Sequence, residues 1–153
     1  MNKSVLISIK PEWCEKIASG HKSIEVRKTR PKIETPFKCY IYSCKKGERI
    51  LARGCEILSG TIFAEFSCSH IEMIRQNSKI ALPLFFTETP YIDFFAKSQL
   101  TEVELLDYLG DHNGYGWHIS DLVIYDHPRK LSEFYCHKPL VRPPMDWCYV
   151  EEL

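Results

Sequence analysis

The seven cysteines of this 153-residue chain contain no C-x-x-C pair. Without that spacing no single turn presents two thiolates to one zinc ion, so the cysteines give no metal signature, and no cofactor is implied. Their number is odd, and several sit in apolar runs such as "KCYIYSC" and "WCYV". Free cysteine behaves there as a small hydrophobe, and reduced thiols are expected. Long apolar runs are missing too. The longest, "IALPLFF" at residues 80–86, is far too short to span a bilayer. Only a few apolar residues lie between Lys3 and Lys10, so no signal peptide is read. A cytoplasmic protein without a membrane partner is the expectation. A glycine-rich phosphate loop is also absent, since "GERILARG" lacks the lysine and the spacing of one.

What is present is ordinary globular composition, with 44% apolar and 26% charged residues. No repeat and no long linker divides the chain, so residues 1–153 read as one domain. The net charge of zero hides an asymmetry. Residues 1–53 carry 13 Lys/Arg against 5 Asp/Glu, whereas residues 54–153 carry 7 against 15. Either one basic face attracts an anionic partner, or the two halves pack together and neutralise each other.

Patterning gives the order of elements. "SVLISI" is β-branched and reads as a buried strand. "KPEWCEKIASG" reads as a short helix, with Pro11 in its first turn, Trp13 and Ile17 as an i, i+4 pair and Gly20 as its stop. Strands are expected at residues 37–45 and 60–74, with a strand or distorted hairpin arm at residues 49–58. Residues 78–90 read as a proline-broken packed loop. "TEVELLDYLGD" is an amphipathic helix with Thr101 and Glu104 spaced for a capping box. "HISDLVIYDHP" reads as a strand or strand pair, "RKLSEF" as an irregular or edge segment and "DWCYVEE" as a last strand. The class is α+β on a mixed or antiparallel sheet, with a short helix after the first strand and a helical insertion.

One strand carries an anomaly. In "SIEVR", Ile24 and Val26 share one face, which is core, while Ser23, Glu25 and Arg27 share the other. An arginine fork suits phosphate or a base edge, and a glutamate accepts from an exocyclic amine. The same two residues also suit a structural ion pair, because buried charges must be paired. A second constellation is "GYGWHIS", where Tyr115 or Trp117 has the aromatic surface to stack on a base and His118 shares a strand face with Ser120. The alternative is core packing of Trp117 and a hydrogen-bonded His118, and for His118 it is the plainer reading.

The stretch "SIKPEWCEKIASGHKSIEVRK" resembles the start of ASCH domains, which have the PUA-like β-barrel fold. Their signature is a strand ending in lysine, a short helix and G-x-K-x-x-E-x-R, here Lys10 followed by Gly20, Lys22, Glu25 and Arg27. "GYGWHISDLVIYDHPRKLSEF" and "RPPMDWCYVEE" resemble the C-terminal half of small bacterial and phage ASCH proteins. The likeness covers both ends, with residues 46–100 less similar. It implies a PUA-like mixed β-barrel and a cleft between the first helix and the barrel.

RNA or modified-nucleotide recognition is the role the resemblance implies. Ligand contacts are then expected from Lys10, Lys22, Ser23, Glu25, Arg27, Tyr115 and Trp117, with Lys10 and Lys22 supplying charge at the cleft mouth. Loops at residues 29–32 and 44–49 add basic residues for phosphates. A hydrolase acting on a nucleoside or RNA is the alternative, with Lys22 and Glu25 catalytic and Arg27 holding developing charge. In the acetylcytidine amidohydrolase branch the motif resembles G-x-K-T-x-T-x-R, and Glu25 stands where the nucleophilic threonine is. A carboxylate does not replace that hydroxyl in acyl transfer. A protein-interaction module is the third reading, with residues 82–91 as its surface.

Overall fold

In the computed structural model, which describes residues 2–45, 47–78 and 81–153, the first apolar run forms β1 (Lys3–Ile9). Every residue after Lys3 in it is buried, the pattern of a strand covered on both faces. Lys10 precedes α1 (Pro11–Ala18), whose first-turn proline lacks only an N–H that would have had no partner in the helix. Gly20, at φ +85°, takes the left-handed conformation that ends the helix. The anomalous segment is β2 (Ile24–Arg27).

β3 (Phe37–Ser43) follows, then the hairpin of β4 (Arg49–Ala52) and β5 (Cys55–Leu58). Of the expected basic loop before that hairpin, Lys46 lies outside the described residues. The long β6 (Ile62–Ser78) leads to β7 (Ala81–Phe86), α2 (Tyr91–Ser98) and α3 (Glu102–Leu109). β8 (Gly114–Arg129), a 3-10 turn (Leu131–Glu133), β9 (Tyr135–Cys136), β10 (Lys138–Pro139) and β11 (Trp147–Glu151) complete the chain.

Two expectations need correction. Within the expected loop at residues 78–90, residues 81–86 form a strand, β7, and residues 79 and 80 lie outside the described part. Pro83 is tolerated there because, among the described residues, β7 pairs with β6 alone, leaving an edge with no donor requirement. The helix α2 directly after it has no counterpart in the sequence reading.

The main sheet has the order β11-β1-β3-β6-β8-β2, with β7 paired to β6 off that path. β1 and β3 are parallel, and the other pairs are antiparallel. This is the mixed α+β arrangement expected, but the sheet is not a closed barrel: among the described residues β11 and β2 remain edges with no ladder between them. Side chains cross that gap instead. Arg27 of β2 reaches the Ser8 carbonyl of β1 at 2.8 Å and the Asp146 carboxylate before β11 at 2.6 Å. The Trp147 indole donates to Thr29 Oγ1 at 2.9 Å.

One face of the sheet buries Val5, Ile7, Cys39, Phe63 and Trp117 under α1, and β2 turns Ile24 and Val26 to the other face against Phe94, Leu105 and Leu109. The seven cysteines are free. No helix among the described residues is long and apolar enough to cross a membrane.

α3 is held at its start by the capping box its sequence implied. Thr101 Oγ1 accepts from the Glu104 N–H at 3.1 Å, and the Glu104 carboxylate accepts from the Thr101 N–H at 3.0 Å. Thr101→Ala should lower stability by about 1 kcal/mol, read as a shifted midpoint in urea unfolding. An unchanged midpoint would mean that α3 is fixed by packing alone.

Candidate functional site

The polar face of β2 opens into a cleft of about 590 Å³ bounded by α1, β2, α3 and residues 145–146. The strand register explains its composition. Glu25 stands opposite Trp117 and Arg27 opposite Tyr115, while Ile24 and Val26 point to the helical insertion. Lys10, Trp13, Lys22, Glu25 and Arg27 all line the cleft.

Within it the signature residues form a buried ion cluster. Lys22 Nζ lies 3.7 Å from one Glu25 oxygen, and the other Glu25 oxygen lies 3.5 Å from the Arg27 guanidinium. Glu25 also accepts from the Val26 N–H at 3.1 Å. Burial opposes the charge on Arg27, but Glu25 and Asp146 outweigh it and hold its pKa above the ordinary value. For Lys22 burial wins. Its pKa falls below the usual lysine range despite the opposing pull of Glu25.

Lys22 is therefore not the cationic residue at the mouth that the sequence implied. Its ammonium is buried, donates to the Ser98 carbonyl at 2.5 Å and sits 4.9 Å from the centre of the Trp13 ring. The C-terminal end of α2 supplies that carbonyl, and no sequence spacing links residues 22 and 98.

Three other expected residues lie elsewhere. Trp117 is 0% exposed in the core, edge-on to Phe37 and Trp147, so it offers no ring face to a ligand. Its sequence neighbours left it free to be a platform, but its side of β8 is the covered one. Ser23 precedes β2 and is not on the cleft wall, and its N–H donates to the Lys97 carbonyl. Tyr115 lines a separate concavity of about 550 Å³ with Lys28, Arg30, Lys32 and Glu34. Lys28 borders both hollows.

The sequence reading missed one whole wall. Glu104, Asp107 and Tyr108 face the cleft from α3, and Asp146 closes it. The i, i+3, i+4 spacing of the first three marks a single helix face, but nothing in it says what that face covers. Cys44 also borders the cleft, and burial raises its thiol pKa, which disfavours the nucleophilic thiolate. Cys14 is buried, with its pKa raised for the same reason.

On the other face of the sheet, Glu72 is 0% exposed and fully engaged. It accepts from the Glu88 and Thr89 N–H groups at 3.1 Å each, from Thr89 Oγ1 at 2.6 Å and from His118 Nε2 at 2.5 Å. Burial alone would raise its pKa, but the His118 and Thr89 hydrogen bonds outweigh that and bring it down to about 2. His118 is thus a hydrogen-bonded sheet residue.

No protein-family model matches this chain, and no curated protein does. Solved structures do. ASCH from Zymomonas mobilis superposes with a TM-score of 0.69 at 18% identity, covering 97% of this chain and 88% of that one. A tyrosine-to-phenylalanine variant of the same protein gives 0.68 at 17%, covering 99% and 92%. Its serine-to-alanine variant gives 0.67 at 17%, covering 97% and 89%. The likeness runs through residues 46–100, where the sequence carried least resemblance, and at this identity it speaks for the architecture: the chain has the fold of ASCH domain proteins.

Proposed function

We propose that this protein binds RNA or a modified nucleotide, with one nucleoside unit seated in the cleft beside α1. The observation that carries this reading is the convergence of Lys22, Glu25 and Arg27 as a buried, mutually paired cluster on the floor of an open cleft. Volume supports it, since about 590 Å³ falls in the range of small-molecule sites.

Charge refines it. Four cations (Lys10, Lys22, Arg27, Lys28) meet four carboxylates (Glu25, Glu104, Asp107, Asp146) around the cleft. Such a wall suits the donors and acceptors of a base edge better than a phosphate. Phosphates fit the neighbouring loop, where Lys28, Arg30 and Lys32 outnumber Glu34. Tyr108, exposed on the rim, offers a ring for stacking.

The test is a binding screen of nucleosides, nucleotides and short single-stranded RNAs against wild type, Tyr108→Ala and Lys10→Ala. Both substitutions are at the rim and should leave the fold intact. At least a tenfold loss of affinity in Tyr108→Ala, with salt-dependent binding only for the phosphate-bearing ligands, is expected. Absence of any hit, or a hit indifferent to both variants, would remove the reading.

The lowered pKa of Lys22 favours one second reading, a hydrolase in which Lys22 and Glu25 move the proton of an attacking water. Incubating the bound ligand with wild type and with Glu25→Gln distinguishes it. Turnover that disappears in the variant supports catalysis, and turnover that persists assigns it elsewhere.

A further inference from the structure

Two histidines meet on the face of the sheet turned away from the cleft. His118 stands opposite Ile24 in the β8–β2 register, whereas the cleft residue Glu25 stands opposite Trp117. Successive side chains alternate, so His118 projects from the other face. The β6–β8 register shifts between Cys68 and Ile71, and the bulge there carries His70. A bulge re-aims the side chains it contains. The two rings lie 5.4 Å apart between centres, tilted by 54°.

Each ring is backed by a carboxylate through the same atom. His118 Nε2 is 2.5 Å from Glu72 Oε2, and His70 Nε2 is 2.6 Å from Glu88 Oε2. In the tautomer that donates Nε2–H to its carboxylate, each ring keeps a lone pair on Nδ1. Neither Nδ1 has a hydrogen-bond partner among the described residues. Both side chains reach solvent, at 53% and 23% exposure.

We propose that His70 and His118 together bind one divalent transition-metal ion of the zinc, cobalt, nickel or copper class. A metal-bound histidine characteristically donates its other ring N–H to a carboxylate, which sets the tautomer and raises ligand basicity. Here both histidines have that partner in place. The spacing also fits. With metal–nitrogen bonds of about 2.0–2.1 Å, two imidazoles at a tetrahedral angle have centres about 5.3 Å apart. The carboxylates of Glu72 and Glu88 balance a 2+ charge without ligating it, and water completes the coordination. Imidazole nitrogens select this class over magnesium or calcium, which take oxygen ligands. The site rests on residues distinct from the cleft and stands or falls apart from it.

The experiment titrates the tag-free full chain with Co²⁺ and follows both the heat and the visible absorption. One saturable equivalent with nitrogen/oxygen-type d–d bands is expected, with affinity at least tenfold weaker in His70→Ala and in His118→Ala. Glu88→Gln, which leaves both ligands, should weaken binding by about 10–100-fold. His70 and Glu88 are exposed, so both variants fold whatever His118→Ala does. No saturable binding, an affinity unchanged in His70→Ala, or a thiolate-to-cobalt charge-transfer band would overturn the proposal. The last would place the ion on the free cysteines.

Discussion

Replacing Arg27 by alanine is expected to cost about 3–5 kcal/mol of folding stability at neutral pH, the range seen when one partner of a buried ion pair is removed. The side chain is 12% exposed and links three parts of the chain: Glu25 on its own strand, the Ser8 carbonyl on β1 and Asp146 before β11. Among the described residues its loss leaves Lys22 as the one charged partner of the Glu25 carboxylate and opens the gap between two sheet edges that share no ladder. Arg27→Lys restores the charge but not the fork, so it should recover only part of the loss. Asp146→Asn should cost less than about 1 kcal/mol, because that carboxylate is 42% exposed and partly screened. Urea unfolding of the three variants is the measurement. A loss under about 1 kcal/mol in Arg27→Ala would show that packing, and not this side chain, joins the edges.

The second large effect belongs to Glu72. Its carboxyl pKa is lowered from 4.5 to about 2 in the folded chain. A depressed carboxylate adds stability that is fully present above its unfolded pKa and is lost as pH falls towards the folded one. For a shift of that size the contribution is on the order of 3 kcal/mol, lost between about pH 4.5 and pH 2. Glu72→Gln should therefore be much less stable than wild type at pH 7, and the gap should narrow as pH falls below about 4.5. Taking the difference cancels the titration of every other carboxylate. A gap that stays constant from pH 7 to pH 3 would mean that neutral and ionised Glu72 serve the fold equally. The same residue ties the turn after β7 to β8 through Thr89 and His118, so acid should first loosen the α2 arm.

The Arg27 motif shows why a signature can be read without its geometry. The strand alternation of Glu25 and Arg27 follows from local period alone, and so do α1 with Pro11 and Gly20 and the capping box of α3. Each depends on contacts within a few residues. Lys22 is a contrary case. The cleft implied by the resemblance put its charge at the mouth, but its burial is set by Ser98, which is 76 residues away. Trp117 likewise lost its role as a platform to Phe37 and Trp147, neither near it in sequence.

The sequence by itself determined the α+β class, most strands, the helices α1 and α3 and the presence of an acid–base motif on one strand face, because hydrophobic period and capping are short-range. It also held the ASCH likeness that the solved structures bear out at the level of fold. Tertiary structure decided the rest. The sheet stays open and is bridged by Arg27, α3 forms the far wall of the cleft, and Tyr115 sits with the basic loop outside it. Each of those outcomes depends on which distant segments pair and pack, and local patterning carries no information about residues that meet only after the chain has folded.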